Sequence, residues 1–372
     1  MEKVFLTEIC SPKQWKTISG EEILKKGKYP VYGANGKIGY YDDFNHEESI
    51  LAIGCRGTCG SLHITQKFSY TSGNAMALDN LSSKVDIKYL YHYLFFRKFD
   101  DIISGGVQKQ ITKEGLKKIQ IPLPDIPSQQ KIAAILDKAD ELRQYNKQLI
   151  EKYDALTQSL FLDMFGDPVR NEKKFFKSTI GEQCSVKGGK RVPKNEKLVK
   201  DNTGYPYIKA GNIKKGKVTT KDLEYLLPTT REKLKRYIVN EGDVCITVVG
   251  VNIGDIGIVP KELHNANLTE NANKLLIKNA NLLNSFYLAS YLQMDFIQKD
   301  ISKKTMAVGV PKLALFRIEQ LELLLPPIEL QLKFQEQVES IETQKKQAQE
   351  ALVKSEALFQ GLSQQAFKGE FS

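Results

Sequence analysis

Two long segments of the chain carry apolar residues at alternating steps of three and four. In the first, Ile132, Ile135, Ala139, Leu142, Asn146, Leu149, Tyr153, Leu156 and Leu160 form a heptad seam with one polar member. In the second, Phe334, Val338, Ile341, Lys345, Ala348, Leu352, Ser355, Phe359 and Leu362 form a weaker seam, with polar breaks at Lys345 and Ser355. Both predict long helices. Pro127 suits a first helical turn, where its missing N–H costs nothing. Gly166 and Pro168 stop the first helix, and Gly369 plays a similar part for the second. The remaining stretches are rich in Gly, Asn and short β-branched runs. ESILAIGC and DVCITVVG read as buried strands, and DIKYLYHYLFFRKFD and NSFYLASYLQMDFIQKD as amphipathic helices.

The two helical segments are copies of one another. With Pro124 set on Pro326, Leu123 falls on Leu325, Ile126 on Ile328, Gln129 on Gln331 and Lys131 on Lys333. Ala155 then falls on Ala357, Leu156 on Leu358, Leu160 on Leu362 and Phe165 on Phe367, with no gap. Fainter echoes precede each helix: YPVYGANG and YPYIKAGN, Asn74-Ala75 and Asn271-Ala272, QITKEGLKKIQIPLP and PKLALFRIEQLELLLPP. The chain therefore reads as globule (1–124), helix (125–167), globule (168–326), helix (327–372).

Each helix has a narrow apolar stripe that cannot stay in water, and the simplest cover for one is the other. An antiparallel coiled coil follows, with Ile135, Leu142, Leu149 and Leu156 meeting Phe334, Ile341, Leu352 and Leu362. The expected fold class is α+β: two β-rich mixed globular domains joined by two long antiparallel helices, with a pseudo-two-fold internal repeat. At about 1.5 Å per residue the first helix would run roughly 57 Å.

Charge narrows the function. Lys and Arg number 54 against 44 Asp and Glu, a formal excess of +10, which suits a polyanionic partner such as nucleic acid. Five cysteines at irregular spacing do not suggest a disulfide framework, and the N-terminal residues do not resemble a signal peptide. The expected compartment is a reducing cytoplasm.

Catalytic patterns are weak. GCRGTCG and GANGKIG lack the spacing of a dinucleotide loop or a P-loop and read better as tight turns. Cys55, Cys59 and His63 lie four apart, but zinc needs a fourth ligand and usually a closer pair. Asp125 and the Glu172-Lys173-Lys174 run are separated by a long helix, which does not suit a metal nuclease. No methyltransferase loop of the Asn- or Asp-Pro-Pro-aromatic kind is present, so no catalytic residue or bound metal is assigned.

Basic and amide side chains in loops remain. Arg56, Gln108, Lys109 and Gln110 in the first globule, and Lys187, Lys190, Arg191, Lys209, Asn212, Lys303 and Lys304 in the second, are candidate DNA contacts. Arg, Asn and Gln can read base edges, while Lys neutralises phosphates. A self-sufficient DNA enzyme with cryptic active residues and a protein-only coiled-coil adaptor are the competing readings.

The paired connectors IQIPLPDIPSQQKIAAILDKADELRQ and LELLLPPIELQLKFQEQVESIETQ, the exits SLFLDMFGDP and GLSQQAFKGEF, and the stretches SGNAMALD and GGVQKQITKEGLKKI resemble the specificity subunit of type I restriction–modification systems. The likeness spans essentially the whole chain. It implies that each globule is a target recognition domain reading one half of a bipartite DNA site. It also implies that the helices dock two methyltransferase (modification) subunits, that restriction subunits join them, and that S-adenosylmethionine, ATP and Mg sit on those partners. The approach VGVPKLALFRI departs from its counterpart, with Pro311 where the first copy has Lys109 or Lys113.

Overall fold

The computed structural model describes residues 2–106, 108–305 and 311–368. Gly369 and residues 306–310 lie outside the described residues. The chain divides into two compact units, Met1–Leu149 with Gln347–Ser372, and Ile150–Lys346. Two long helices, Ile126–Phe165 and Ile328–Lys368, each contribute to both units.

In the first unit, strand Leu51–Gly54 is buried along its whole length and pairs antiparallel with Leu62–Ile64 and Ala75–Asp79. Ser11–Gln14 completes this four-stranded sheet at its edge. In the second unit, Val244–Thr247 is likewise buried throughout, between Ile256–Ile258 and Ala272–Ile277, with Cys184–Gly188 at the edge. Four residues with no outward polar position match the short apolar runs in the sequence. Each unit also has a parallel pair: Tyr29–Gly33 with Tyr70–Thr71, and Pro206–Ile208 with Ala266–Leu268. The first amphipathic run forms one helix, Ile87–Arg97. The second splits into Ser285–Leu292 and Asp295–Lys304, because the backbone at Met294 is extended.

The repeat extends to individual hydrogen bonds. Gln129 is fully buried; its Oε1 accepts from Asp86 N at 2.8 Å, and its Nε2 donates to Lys84 O at 2.9 Å and Pro124 O at 2.8 Å. Gln331, also fully buried, accepts from Asn284 N at 2.9 Å and donates to Leu282 O at 2.9 Å and Pro326 O at 2.8 Å. Asp86 and Asn284 in turn cap their helices through their side-chain oxygens. Tyr89 Oη donates to Pro122 O at 2.6 Å, and Tyr287 Oη to Leu324 O at 2.9 Å. Each unit thus locks the start of one long helix to its own globular helix by the same set of bonds.

In the first unit the two long helices run antiparallel: Arg143 lies 4.7 Å over Phe359, and Asn146 Nδ2 reaches Ser355 Oγ at 3.3 Å, so numbering rises along one helix as it falls along the other. In the second unit Phe161 packs 5.6 Å from Phe334, and Lys345 pairs with Asp154. The exit aromatics end on equivalent tyrosines, Phe367 at 5.7 Å from Tyr89 and Phe165 at 4.8 Å from Tyr287.

The seam of the first helix differs from the expected one. Ile132, Leu136, Ala139 and Asn146 are buried, whereas Ile135 and Leu149 are half-buried and Leu142 and Leu156 are exposed. The inward steps run four then three, not three then four. The reason lies at Arg143, whose guanidinium covers the rings of Phe359 and Phe95 and so holds the inward position beside Leu142. On the second helix Phe334 is buried, and Ile341, Leu352 and Leu362 are half-buried.

Candidate nucleic-acid interface

In the first unit the chain leaves strand Leu51–Gly54 through a turn carrying Gly57 at φ +73 and Gly60 at φ +85. L side chains rarely adopt such backbone, so glycine serves there. Cys55 N and Arg56 N donate to Asn74 O at 3.0 and 3.3 Å, while Ile111 N donates to Cys55 O at 3.0 Å. Arg56 and Gln110 thereby face one another as a bridge, and Cys59 Sγ donates to Lys109 O at 3.2 Å. Gly105 holds φ +94 in the adjoining turn, where a Cβ would fall 2.2 Å from Gln108 O. Arg56, Gln108, Lys109 and Gln110, distant in sequence, thus share one exposed edge.

Cys55, Cys59 and His63 have structural positions around this edge. Burial pushes the Cys55 thiol up, and its sulfur accepts from Gln14 Nε2 at 3.0 Å. Burial likewise holds His63 below its usual range, with its ring against Gly36. Among the described residues no three His, Cys, Asp or Glu side chains are grouped as metal ligands.

The second unit builds the same edge from different residues. Val248 N donates to Asn271 O at 2.8 Å, Leu313 N donates to Val248 O at 2.9 Å, and Val249 bridges Lys312. Val249 therefore stands where Arg56 stands, Lys312 where Gln110 stands, and Pro311 takes the place of Lys109 rather than Lys113. Lys312 is exposed and was not among the sequence candidates. The offset that sets Pro124 on Pro326 also sets Gln110 on Lys312, so the signal was present.

The other candidates of this unit lie elsewhere. Lys187 is exposed opposite Lys274 on the edge strand, and Lys190 O accepts from Tyr207 Oη at 2.9 Å. A cavity of about 410 Å³ is lined by Arg191, Tyr207, Lys209, Gly211, Glu270 and Asn271. Its cations are paired within the chain, Arg191 with Glu270 and Lys209 with Glu224. The hydrogen bond to Glu270 raises the Arg191 pKa. For Glu270, burial pushes upward, but the Arg191 bond and its companions outweigh it and the carboxyl lies below its usual range. Asn212 is a correction. It is buried, its Oδ1 accepts from Lys209 N at 3.0 Å and its Nδ2 donates to Lys221 O at 3.0 Å, so its amide is engaged in shaping its own turn. Lys304 bonds Asp300 at 2.9 Å in the last turn of its helix, and Lys303 beside it is exposed.

A family model described as the type I restriction modification DNA specificity domain matches residues 1–153 and 172–352. The chain is 24% identical over 276 residues to the type I restriction enzyme MjaIX specificity subunit of Methanocaldococcus jannaschii, covering 68% of this chain and 62% of that protein. It is 21% identical to the MjaVIII specificity subunit of the same organism, over 89% of this chain and 87% of that one. Among solved structures, the S subunit of a type I restriction–modification system from M. genitalium shares the fold with a TM-score of 0.64 at 19% identity, over 98% of this chain and 96% of that one. A chain from a type I system studied for complex assembly and conformational transition gives 0.56 at 15% identity, over 98% and 97%. Two matched segments covering both repeats place the protein: it belongs to the type I restriction–modification DNA specificity family.

Proposed function

We propose that this chain is the sequence-reading, non-catalytic subunit of a type I restriction–modification complex, and that its two units read two different halves of one bipartite DNA site. The observation that carries this is the duplicated edge: two equivalent backbone bonds and a bridge present Arg56 and Gln110 in one unit and Val249 and Lys312 in the other. One scaffold displaying different side chains twice is suited to reading two unlike base sequences. The net charge of +10 supports a duplex partner.

The methyltransferase subunits, and the restriction subunits that join them, supply the chemistry in this reading and bind S-adenosylmethionine, ATP and Mg. Leu156 and Leu358, equivalent in the repeat, are 47% and 49% exposed on the long helices, one in each unit. A duplicated outward leucine suits the docking of two copies of one partner.

The test is to map methylated motifs in the host genome with and without this gene, and with a chain carrying Arg56→Ala and Gln110→Ala. The expected result is a bipartite motif that vanishes without the gene and relaxes in one half only in the variant. A motif that persists without the gene, or an active purified chain with metal and methyl donor alone, would overturn the reading.

A further inference from the structure

We infer that the Val249–Gly254 loop is the base-reading edge of the second unit, with Val251 contacting a thymine methyl and Asn252 the adjoining base edges in the major groove. This deepens the reading above and rests on it. The loop links strands Val244–Thr247 and Ile256–Ile258, as the Arg56 turn links their equivalents. It is braced by Gly250 at φ +99 and Gly254 at φ +93, matching Gly57 and Gly60. A Cβ on Gly254 would lie 2.7 Å from Gln298 Oε1, and Gln298 Nε2 donates to Gly254 O at 3.0 Å, so the base of the loop is fixed.

At its tip Val251 is 101% exposed, the most exposed of the large apolar side chains of the described residues. Folding gains nothing from an aliphatic side chain held wholly in water. Asn252 is exposed beside it, and Lys312 lies alongside through the Val249 bridge. Apolar groups recognise the thymine methyl, Asn bonds adenine N6 and N7, and Lys neutralises phosphate; all three chemistries sit on one edge. By contrast, the basic loops around the cavity lined by Arg191 and Lys209 have those two cations paired with acids.

The experiment uses the assembled methyltransferase complex, with Arg56 intact, on synthetic duplexes of the motif the wild-type complex modifies. Each thymine of the half-site read by the second unit is replaced in turn by uracil, which removes only the methyl. One replacement is expected to weaken wild-type modification roughly 5-fold or more, and to have no effect on Val251→Gly. Val251→Thr, which keeps a methyl, retains the sensitivity. Asn252→Ala is expected to lose roughly 5- to 150-fold of discrimination at a neighbouring base pair. Lys312→Ala lowers the salt slope of binding by about one without changing the motif. If no uracil position couples to Val251, or that half-site contains no thymine, the inference fails. Failure of the underlying reading looks different: the wild-type motif itself would not depend on this chain.

Discussion

Asn146 Nδ2 donates to Ser355 Oγ at 3.3 Å inside the helix pair of the first unit, both residues buried. The polar member of one seam and a polar break of the other are thus partners. Ser355 Oγ also donates to Leu352 O at 2.9 Å. An antiparallel pair of apolar stripes can slip by a heptad, and one buried polar contact penalises every slipped register. Asn146→Ala is expected to cost about 1–2 kcal/mol in urea unfolding, through the lost bond and the space left. Asn146→Leu combined with Ser355→Ala is expected to recover that loss while broadening the side-chain NMR signals of the pair. Sharp signals in the double variant would show that register is set elsewhere.

Gln129 and Gln331 offer a sharper comparison, since each satisfies one backbone N–H and two carbonyls. Replacing either by Ala removes three bonds at a part-buried site, at about 2–3 kcal/mol. Replacement by Glu keeps an acceptor for the N–H but cannot donate to the carbonyls, and a buried carboxylate is costly besides. Both Gln→Ala and Gln→Glu should therefore destabilise the unit concerned. Hydrogen exchange resolved by segment would show the loss at 84–90 for Gln129 variants and at 282–288 for Gln331 variants.

The same glutamines show what the sequence made legible. They were visible as a repeat because a fixed offset needs no knowledge of contacts. The long helices were visible because heptad spacing is local, and the two short buried strands because a short run of mostly apolar, β-branched-rich residues has few other uses. The phase of the first seam was not visible. Leu142, Leu149 and Leu156 look like core by composition, and only the stacking of Arg143 on two rings explains why the inward steps shift. Nor were the in-chain partners of Arg191 and Lys209 legible, since Glu270 and Glu224 reach them through strand pairing remote in sequence. Asn212 looked like a base reader because its type permits it; its burial is a property of the turn.

A pH dependence follows from His92, which is buried in the first unit with Nε2 at 2.7 Å from Asp137 Oδ1 and Nδ1 without a hydrogen-bond partner. Burial lowers its pKa, outweighing the raising effect of Asp137. The folded state thus holds it neutral, while the unfolded chain takes up a proton near the ordinary 6.5. Stability therefore falls as pH drops below that value. Asp137 acts in the same direction at lower pH. Burial pushes its carboxyl upward, but bonds from Lys88 and His92 outweigh this and leave it below the ordinary 3.8. Its stabilisation is present above that value and is lost as pH falls through its folded one. His46 and His63 are also lowered, so the contribution of His92 is read as a difference. Chemical unfolding between about pH 5 and 7 should show His92→Gln reducing the slope of stability against pH by up to about 1.4 kcal/mol per pH unit. An unchanged slope would mean that His92 titrates alike in the folded and unfolded chain, and a steeper one that it is charged in the fold.

The outward leucines separate stability from assembly. Leu136 is fully buried in the first unit, and Leu136→Ala should cost about 3 kcal/mol. Leu142 and Leu156, which the spacing alone places in the seam, are 46% and 47% exposed, and Leu142→Ser and Leu156→Ser should each change stability by less than about 0.5 kcal/mol. If Leu156 and Leu358 dock the methyltransferase subunits, Leu156→Glu should weaken capture of one copy and Leu358→Glu of the other, with unfolding midpoints near wild type. Mass measurement of the assembled complex would then give one methyltransferase subunit per chain for each single variant and none for the double. Two copies retained in the double variant would move the docking surface off these positions, while leaving the assignment of the buried seam untouched.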